Sequence, residues 1–227
     1  MHKLVAPLAG QLIVSCQAYP GEPMRNPETM AEIAQAVELG GASAVRAQGL
    51  DDIRLVKERI DIPVIGIWKD GREGVFITPT LKHALAVIEA GADIVAIDGT
   101  LRNRPDGLTL AETVEGIRAQ YPEVAIMADC DSFDSGVAAA KAGVDIVGTT
   151  LAGYTPARPK TVGPDLDLIR ELTEALPGHA VVAEGRVHTT ADAKAARDSG
   201  AFAVVVGTAI THPTSITQWF RDALDVD

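Results

Sequence analysis

Charged side chains of both signs stand where short apolar runs of this sequence end. Lys69 follows the run PVIGIW, Asp129 ends VAIMAD, and Glu184 ends the apolar part of HAVVAEG. Arg46 lies in a further run, ELGGASAVRA, and we predict that the second strand ends at this arginine. Two cations and two carboxylates around one concave site can move a proton while negative charge develops on an oxygen atom. We therefore predict acid/base chemistry if the fold brings these four residues together.

Lys69 admits three roles. A lysine that is close to an arginine and partly removed from water has a lowered pKa, so it can accept a proton near neutral pH. Lys69 could instead form a salt bridge with Asp129 or Glu184. It could also form a Schiff base with a carbonyl substrate, as lysines at barrel strand ends do in aldolases. The residues alone leave these roles open.

Four segments share a pattern in which a helix ends at glycine and a short apolar strand follows. They are ELGGASAVRA at 38–47, EAGADIVAID at 89–98, KAGVDIVGTT at 141–150 and DSGAFAVVVG at 198–207. Glycine just after a helix adopts the left-handed conformation without a steric penalty, and β-branched runs suit strands covered on both faces. Four more apolar runs, QLIVSC, PVIGIW, VAIMAD and HAVVAEG, bring the predicted strands to eight.

Amphipathic helices separate the predicted strands. In NPETMAEIAQAVELG, Asn26 can cap the helix, Pro27 suits the first helical position, and apolar residues recur at helical spacing. Eight parallel strands alternating with helices fit an open doubly wound sheet or a closed TIM barrel, and eight near-equivalent units favour closure. We predict an α/β fold, a (β/α)8 TIM barrel, in which residues 1–227 form a single domain.

The active site of a TIM barrel lies at the carboxyl ends of its strands, so the residues where the apolar runs stop are the candidates. The loops after the seventh and eighth strands, AEGRVHTT and VGTAITHP, are those that commonly bind phosphate through backbone N–H groups. Gly185 and Gly207 would let these groups approach an anion, although both glycines also suit plain turns. The segment GTTLAGYT adds hydroxyl groups nearby.

The composition limits the classes of function. With 31 acidic and 20 basic side chains, the chain has a net charge of −11. Nucleic acids and anionic membranes bind basic surfaces, so we expect neither partner, whereas a small anionic ligand is compatible. Cys16 and Cys130 lack metal-ligand spacing, so we expect inert thiols, no metal and a reducing compartment. The first apolar stretch is broken by Pro7 and Gly10 and is too short to span a membrane, so we predict a cytoplasmic protein.

Seven segments carry a resemblance to a known family. In chain order, from about residue 10 to about residue 220, they are SCQAYPGEP, GIWK, FITPT, TLRNRP, GTTLAGYT, AEGRV and VGTAIT. Together they resemble the N-acetylmannosamine-6-phosphate 2-epimerases. The resemblance implies a bacterial isomerase of sialic-acid catabolism, on a ribulose-phosphate-binding type of TIM barrel. It would interconvert N-acetylmannosamine 6-phosphate and N-acetylglucosamine 6-phosphate without a cofactor or a metal.

The resemblance also implies roles for individual residues. Lys69 and Glu184 would be the acid/base pair that removes a proton from C2 of the open-chain sugar and returns one to the other face. Arg46, or the Lys69 ammonium itself, would stabilise the developing oxyanion in place of a metal. The predicted substrate-binding residues are Gln17, Arg46, Asp129, Thr150 and Tyr154. The predicted phosphate-binding residues are Gly185, Arg186, Gly207, Thr208 and His212.

Three positions depart from the family pattern. His212 stands where the family commonly has an arginine that contributes to phosphate binding, and histidine is only partly charged at neutral pH. Gly99 follows Asp98 where alanine is usual, and the loop DGREG after Lys69 is slightly shorter than the common form. These departures concern the fit around the phosphosugar rather than the class of reaction.

Two other functions would use the same site. One is a phosphosugar lyase or a Schiff-base aldolase acting through Lys69, and the other is a phosphosugar-binding sensor, which would leave the pairing of Lys69 with Glu184 without a purpose. The last helix also carries an apolar stripe formed by Ile216, Trp219 and Phe220. It could pack on its own barrel, but family members are often dimers that use this helix, so we expect a homodimer.

Overall fold

The eight apolar runs form eight parallel strands that close into a barrel. The strands are β1 (Leu12–Cys16), β2 (Ala44–Gln48), β3 (Val64–Ile67), β4 (Ile94–Asp98), β5 (Ala125–Asp129), β6 (Ile146–Gly148), β7 (Ala180–Glu184) and β8 (Ala203–Val206). The computed structural model describes residues 1–224, so the last three positions of the predicted domain, 225–227, lie outside the described residues. Strand order follows chain order, and β8 pairs with β1. The predicted (β/α)8 TIM barrel is confirmed.

A helix follows every strand. The helices are α1 (Pro27–Leu39), α2 (Leu50–Arg59), α3 (Leu81–Glu89), α4 (Leu110–Gln120), α5 (Phe133–Lys141), α6 (Leu166–Ala175), α7 (Thr190–Asp198), α8 (Thr208–Thr211) and α9 (Pro213–Asp222), and a short 3-10 helix, Ala6–Leu8, precedes β1. As predicted, Asn26 caps α1 by accepting the Thr29 backbone N–H at 2.9 Å, and Pro27 is the first helical residue. No helix within residues 1–224 combines the length and apolar content that a membrane span requires.

The four glycine joints are confirmed. Gly41, Gly91, Gly143 and Gly200 have φ between 89° and 105°. This left-handed conformation turns the chain from a helix into the next strand without a Cβ clash. The joints occupy the amino ends of the strands, opposite the ends that carry the predicted site residues.

Side chains of each strand alternate between two apolar layers. Ile65 and Ile67 of β3 lie inside the barrel, whereas Val64 packs outward against the helices. Residues two apart along a strand share a face. Continuing the inward series to the carboxyl ends of the strands and just past them gives the polar residues Gln17, Arg46, Lys69, Asp98, Asp129, Thr150 and Glu184. The barrel therefore points these side chains toward one mouth.

The second strand is longer than predicted. We expected it to end at Arg46, but β2 continues to Gln48. A charged residue inside a strand is tolerated here because Arg46 faces the barrel interior, where Asp129 and Glu184 compensate its charge. The cation is therefore held by a strand rather than by a loop.

The two cysteines are core residues, as predicted. Cys16 and Cys130 are free and buried. Burial raises the pKa of Cys16 to about 12 and raises that of Cys130 as well. Both thiols therefore stay protonated near neutral pH, and a protonated thiol is a poor nucleophile.

The last helix differs from the others. Every helix from α1 to α7 buries at least one residue, whereas α9 buries none. Trp219 stacks on His188 of the barrel, with ring centroids 4.6 Å apart, but Phe220 is 72% exposed. Of the apolar stripe predicted for this helix, Ile216 and Trp219 are therefore half-buried and Phe220 is exposed in a single copy of the chain.

Candidate active site

A cavity of about 780 Å³ opens at the carboxyl ends of the strands. It is lined by all but one of the predicted site residues, namely Gln17, Arg46, Lys69, Thr150, Tyr154, Glu184, Gly185, Arg186, Gly207, Thr208 and His212. The exception, Asp129, is fully buried in contact with Arg46. Residues 1–224 contain no group of three or more His, Cys, Asp or Glu side chains arranged to hold a metal ion. The fold thus gathers the predicted residues at one site.

One side of the site is built around Arg46, and we call Arg46, Asp129, Thr150 and Glu184 the Arg46 cluster. The guanidinium donates two parallel hydrogen bonds to Asp129, from Nη1 to Oδ1 at 2.9 Å and from Nη2 to Oδ2 at 2.5 Å. Nη1 also donates to Glu184 Oε2 at 2.9 Å. Thr150 Oγ1 lies 2.8 Å from Asp129 Oδ1 and 3.0 Å from Glu184 Oε2. One buried cation thus serves two carboxyl groups.

These contacts shift the pKa values of two members of the cluster. Burial lowers the pKa of Arg46, but the charges of Asp129 and Glu184 outweigh burial and raise it overall, so Arg46 stays charged. Burial raises the pKa of Glu184, Arg46 opposes this effect, and Asp129 adds to it; the pKa of Glu184 is raised overall. Glu184 can therefore hold a proton at a higher pH than an exposed glutamate.

The other side of the site is a chain of hydrogen bonds, and we call Ser15, Gln17 and Lys69 the Lys69 chain. Lys69 Nζ donates to Gln17 Oε1 at 2.8 Å, and Gln17 Nε2 donates to Ser15 Oγ at 2.7 Å. No carboxylate lies within ion-pair distance of Lys69 in the described part of the chain. The salt-bridge role considered for Lys69 is therefore wrong, because Arg46 takes both carboxyl groups.

A short hairpin presents Lys69 to the cavity. Lys69 follows β3 by two residues and pairs with Ile77 across the hairpin. Thr78 has a φ of 44°, which is uncommon for a β-branched residue, and its Oγ1 accepts the Trp68 backbone N–H at 3.1 Å. Strained residues cluster at functional sites. The hydrogen bond from Trp68 to Thr78 holds the two sides of the hairpin together beside Lys69.

The pKa of Lys69 is lowered to about 8. Burial is the largest cause, and the charge of Arg46 is the next. Glu184 and Asp129 oppose the shift but do not cancel it, because Arg46 already neutralises much of their charge. Lys69 can therefore accept and donate a proton near neutral pH, as predicted for a lysine that is close to an arginine and partly removed from water.

The loops after β7 and β8 contain unpaired backbone donors. Within residues 1–224, the N–H groups of Gly185, Gly207 and Thr208 donate to no acceptor. All three residues line the cavity, and Thr208 is the first residue of α8, where backbone N–H groups have no intrahelical acceptor. Unpaired backbone donors at glycine-containing loops suit an anionic group such as a phosphate.

Comparisons with known proteins agree with this geometry. Residues 30–226 match the family described as N-acetylmannosamine-6-phosphate epimerase. The chain belongs to this family. It is 62% identical over 223 residues to the protein described as an N-acetylmannosamine-6-phosphate 2-epimerase from Cutibacterium acnes. The aligned region covers 98% of this chain and 97% of that protein. It is 47% identical to the protein of the same description from Caldanaerobacter subterraneus, with 96% and 92% of the two chains covered.

Solved structures extend the comparison to the fold. The N-acetylmannosamine-6-phosphate 2-epimerase from Clostridium perfringens superposes with a TM-score of 0.92 at 38% identity, covering 98% of this chain and 96% of that one. Thiamine phosphate pyrophosphorylase from Pyrococcus furiosus superposes with a TM-score of 0.58 at 19% identity and shares the fold alone. The resemblance found in the sequence to this epimerase family is thus confirmed.

One predicted phosphate-binding side chain has another task in this family member. The Arg186 guanidinium donates to the backbone oxygens of Ala152 and Gly163 at 2.7 Å and 3.1 Å and to Thr161 Oγ1 at 2.9 Å. Its central carbon also lies 5.2 Å from the centre of the Tyr154 ring. We therefore assign this guanidinium to holding the loop between β6 and α6. The backbone N–H of Arg186, unpaired in residues 1–224, stays a candidate phosphate donor.

His212, which was expected to stand in place of an arginine, caps α9. Its Nδ1 accepts the Ser215 backbone N–H at 3.3 Å, which assigns the ring proton to Nε2. That Nε2 lies 2.8 Å from Glu22 Oε2, out of line for a hydrogen bond. His212 thus offers a single N–H donor where arginine would offer several. Its part in phosphate binding stays a prediction.

The glycine at position 99, where alanine was expected, has a steric explanation. A Cβ atom on Gly99 would lie 2.8 Å from Cys130 Sγ and 2.9 Å from Ala128 Cβ. Real Cβ atoms do not approach other atoms so closely. The side chains of Cys130 and Ala128 therefore fill the space that an alanine at position 99 would need.

Arg102 is one of the cavity residues that the sequence did not predict. Arg102 lines the cavity, donates from Nη2 to Asp98 Oδ2 at 2.7 Å, and donates from Nη1 to the Gly74 backbone oxygen at 2.7 Å. It therefore ties the loop after β4 to the hairpin that follows β3. A signal was present, because Asp98 ends a buried strand and a buried carboxylate needs a cation nearby.

Proposed function

We propose that this protein interconverts N-acetylmannosamine 6-phosphate and N-acetylglucosamine 6-phosphate by removing and returning the proton at C2. One observation carries the proposal. Lys69, with its pKa lowered to about 8, and Glu184, with its pKa raised, face the same cavity from the third and seventh of eight barrel strands, on opposite sides of the mouth. Inversion of one carbon centre needs a proton-transfer group on each face of that carbon.

The two groups suit this reaction because their protonation states are complementary. The C1 aldehyde of the open-chain sugar acidifies the hydrogen at C2, and its removal leaves an enolate-like species. One group takes this proton as a base while the other holds a proton for the opposite face. In the reverse direction the two groups exchange tasks, so each must be able to both bind and release a proton near neutral pH.

Positive charge at the site would stabilise the oxyanion of the intermediate. Both terminal nitrogens of Arg46 already donate to Asp129 or Glu184. Lys69 has a neutral acceptor, Gln17, and becomes an ammonium when it takes the proton. We therefore assign the oxyanion mainly to Lys69, with Arg46 keeping the two carboxyl groups in place.

We place the substrate phosphate at the loops after β7 and β8. The unpaired backbone N–H groups of Gly185, Gly207 and Thr208 support this placement. The phosphate would fix the far end of an open-chain sugar while its C1–C2 end reaches Lys69 and Glu184. Gln17, Thr150 and Tyr154 line the same cavity and stay candidates for contacts with the sugar.

Proton NMR of N-acetylmannosamine 6-phosphate with the protein in D2O tests the proposal. We expect deuterium at C2 and the appearance of the gluco epimer, and we expect both to be lost in Lys69→Ala and Glu184→Ala. Lys82→Ala and Glu174→Ala are matched controls, because both side chains are exposed. An absence of exchange and product with the unchanged protein would refute the epimerase.

The same samples separate the two other functions. Borohydride would trap a covalent adduct if Lys69 formed a Schiff base, as in an aldolase. A sensor would bind the phosphosugar without any exchange at C2. We do not favour either function, because neither explains a glutamate of raised pKa across the cavity from Lys69.

We also propose a homodimer in which α9 of each copy packs on the other. No residue of α9 is fully buried and Phe220 is 72% exposed, which supports this assembly. Sedimentation at micromolar concentration should give twice the chain mass of 23.8 kDa, and Phe220→Asp should give the monomer. A monomer mass for the unchanged protein would contradict the dimer.

We assign the protein to the bacterial cytoplasm and to sialic-acid catabolism. The family membership supports the pathway, and two free, buried cysteines fit a reducing compartment. Fractionation of cells should recover the protein with cytoplasmic enzymes. Recovery with the membrane or outside the cell would overturn the assignment.

A further inference from the structure

The hydroxyl group of Thr150 stands between two carboxyl groups. Its Oγ1 lies 2.8 Å from Asp129 Oδ1 and 3.0 Å from Glu184 Oε2. Both distances are those of hydrogen bonds that involve a carboxyl group. Thr150 follows the end of β6 by two residues, so its side chain continues the inward-facing series of that strand.

A hydroxyl group has one hydrogen, whereas ionised carboxylates only accept hydrogen bonds. Thr150 can therefore donate to Asp129 or to Glu184, but not to both at once. If both carboxyl groups were ionised, one of the two contacts would set lone pairs against lone pairs. Both contacts are favourable when one carboxyl group is protonated. That group then donates a hydrogen bond to Thr150 Oγ1, and Thr150 donates one to the other carboxylate.

The surroundings decide which carboxyl group carries this proton. Asp129 receives two parallel hydrogen bonds from Arg46, one on each of its oxygens. Glu184 receives one hydrogen bond from Arg46, on Oε2 alone. A bidentate guanidinium favours the ionised form more than a single donor does. The proton therefore belongs on Glu184, which donates to Thr150 while Thr150 donates to Asp129.

We propose that Thr150 is a positioning residue whose hydroxyl changes its acceptor as Glu184 changes its protonation state. With Glu184 protonated, the Thr150 O–H points to Asp129 Oδ1 and its oxygen accepts from Glu184. With Glu184 ionised, the O–H turns to Glu184 Oε2. No covalent bond to Thr150 forms or breaks, and the proton of Glu184 passes to and from the substrate carbon only.

This rotation keeps Oε2 of Glu184 hydrogen-bonded to Thr150 in both protonation states of Glu184. Without it, the ionised form of Glu184 would lose a donor within a buried site, and its pKa would rise. The charged groups that face Glu184 are Arg46 on β2, Asp129 on β5 and Lys69 beyond β3. Of these, Asp129 alone changes its contact with Thr150 in this scheme, because it loses the Thr150 O–H when Glu184 is ionised and keeps its two hydrogen bonds from Arg46. The inference rests on the proposed epimerase function, in which Glu184 must switch between acid and base.

The test compares Thr150→Val, which removes the hydroxyl at nearly constant volume, with Thr150→Ser, which keeps it. The measurement is the pH dependence of kcat/KM for both directions of the reaction. In Thr150→Val we expect the limb that belongs to Glu184 to move to higher pH by about one unit and the rate at neutral pH to fall by about tenfold. Thr150→Ser should keep the original limb. If Thr150→Val does not fold, Thr150→Ala removes the same hydroxyl.

The outcomes separate this inference from the function on which it rests. An active unchanged protein, with both hydroxyl-free variants folded and showing the original pH limbs, would refute the role of Thr150 alone. A higher KM with unmoved limbs would also refute it, because that result describes a residue that only contacts the sugar. An unchanged protein without C2 exchange would instead refute the epimerase function itself.

Discussion

The two sides of the site treat charge in opposite ways. In the Arg46 cluster every charged group has an oppositely charged partner, and Asp129 is fully buried. In the Lys69 chain the ammonium has one hydrogen-bond acceptor among residues 1–224, the neutral oxygen of Gln17. A paired buried charge is held in its ionised form, whereas an unpaired one is pushed toward neutrality. The difference indicates that Arg46 and Asp129 serve as a fixed support, whereas Lys69 and Glu184, whose pKa is raised, are free to change their charge.

Their places in the fold differ in the same way. Arg46, Asp129 and Glu184 all lie within barrel strands, whereas Lys69 follows β3 on a hairpin. Strands fix a side chain more firmly than loops do. The fixed side therefore holds the carboxyl groups apart from Lys69, and this separation is what lets the pKa of Lys69 fall. Removing the positive charge of Arg46 should therefore lower the free energy of unfolding, whereas removing that of Lys69 should raise it.

The largest effect is expected for Arg46→Met. This change leaves Asp129 and Glu184 buried without a cation, and breaking a buried ion pair in this way costs about 3–5 kcal/mol. We expect urea unfolding to begin at a much lower concentration and the epimerase activity to be lost. Arg54→Met is the matched control, because Arg54 forms an exposed ion pair with Asp51 and should cost less than about 1 kcal/mol.

A combined variant sharpens this prediction. Arg46→Met together with Asp129→Asn and Glu184→Gln removes the cation and both negative charges. It should recover part of the lost stability, because neutral amides cost less to bury than unpaired carboxylates. If the combined variant is no more stable than Arg46→Met alone, then packing rather than charge accounts for the loss.

The opposite sign is expected for Lys69→Met. The pKa of Lys69 is about 8 in the folded protein, against 10.5 for an ordinary lysine. The difference corresponds to a cost of about 3 kcal/mol for keeping this lysine protonated in the fold. Lys69→Met should therefore be inactive yet more stable to urea than the unchanged protein at neutral pH, by somewhat less than this amount because the bond to Gln17 is also lost.

The pH dependence identifies the cause. Below pH 8 the lysine is protonated in both states and the full cost applies, so the advantage of Lys69→Met is greatest there. Between pH 8 and 10.5 the unfolded chain binds more protons than the folded one, so stability of the unchanged protein rises with pH. The advantage of the variant should shrink over this window. An advantage that stays constant with pH would show that better packing is responsible.

The sequence predicted the fold and the members of the site for clear physical reasons. Apolar runs, glycine joints and helix caps are local signals, and their eightfold repetition leaves few architectures. A strand also fixes which residues point inward, so Asp129 and Glu184 could be assigned to the mouth from their positions alone. The resemblance to a family then gave the reaction that these residues serve.

The pairing within the site could not be predicted in the same way. Whether Lys69 or Arg46 takes the carboxyl groups depends on distances across the barrel, between residues as far apart in the chain as Arg46 and Glu184. The contacts of Arg186 with the loop before α6 depend on the path of that loop, which has no periodic pattern. Sequence types thus identified the charged groups, and three-dimensional distances assigned their partners.

The smallest effect is expected for Gln17→Leu, which removes the hydrogen bond that the Lys69 ammonium donates to Gln17 Oε1. Without the Gln17 oxygen the ammonium loses an acceptor, so the pKa of Lys69 should fall further and the limb of the pH–rate profile that belongs to Lys69 should move to lower pH. Gln17→Glu would supply a charged partner and move the same limb to higher pH.

We expect about a tenfold loss of rate in Gln17→Leu and a change in unfolding free energy of less than about 1 kcal/mol. Gln48→Leu is the matched control, because Gln48 lines the same cavity and the Lys69 ammonium donates to Gln17 instead. Equal effects of the two leucine variants would mean that Gln17 acts by shape alone, and the contrast between the paired and unpaired sides of the site would then lose its basis.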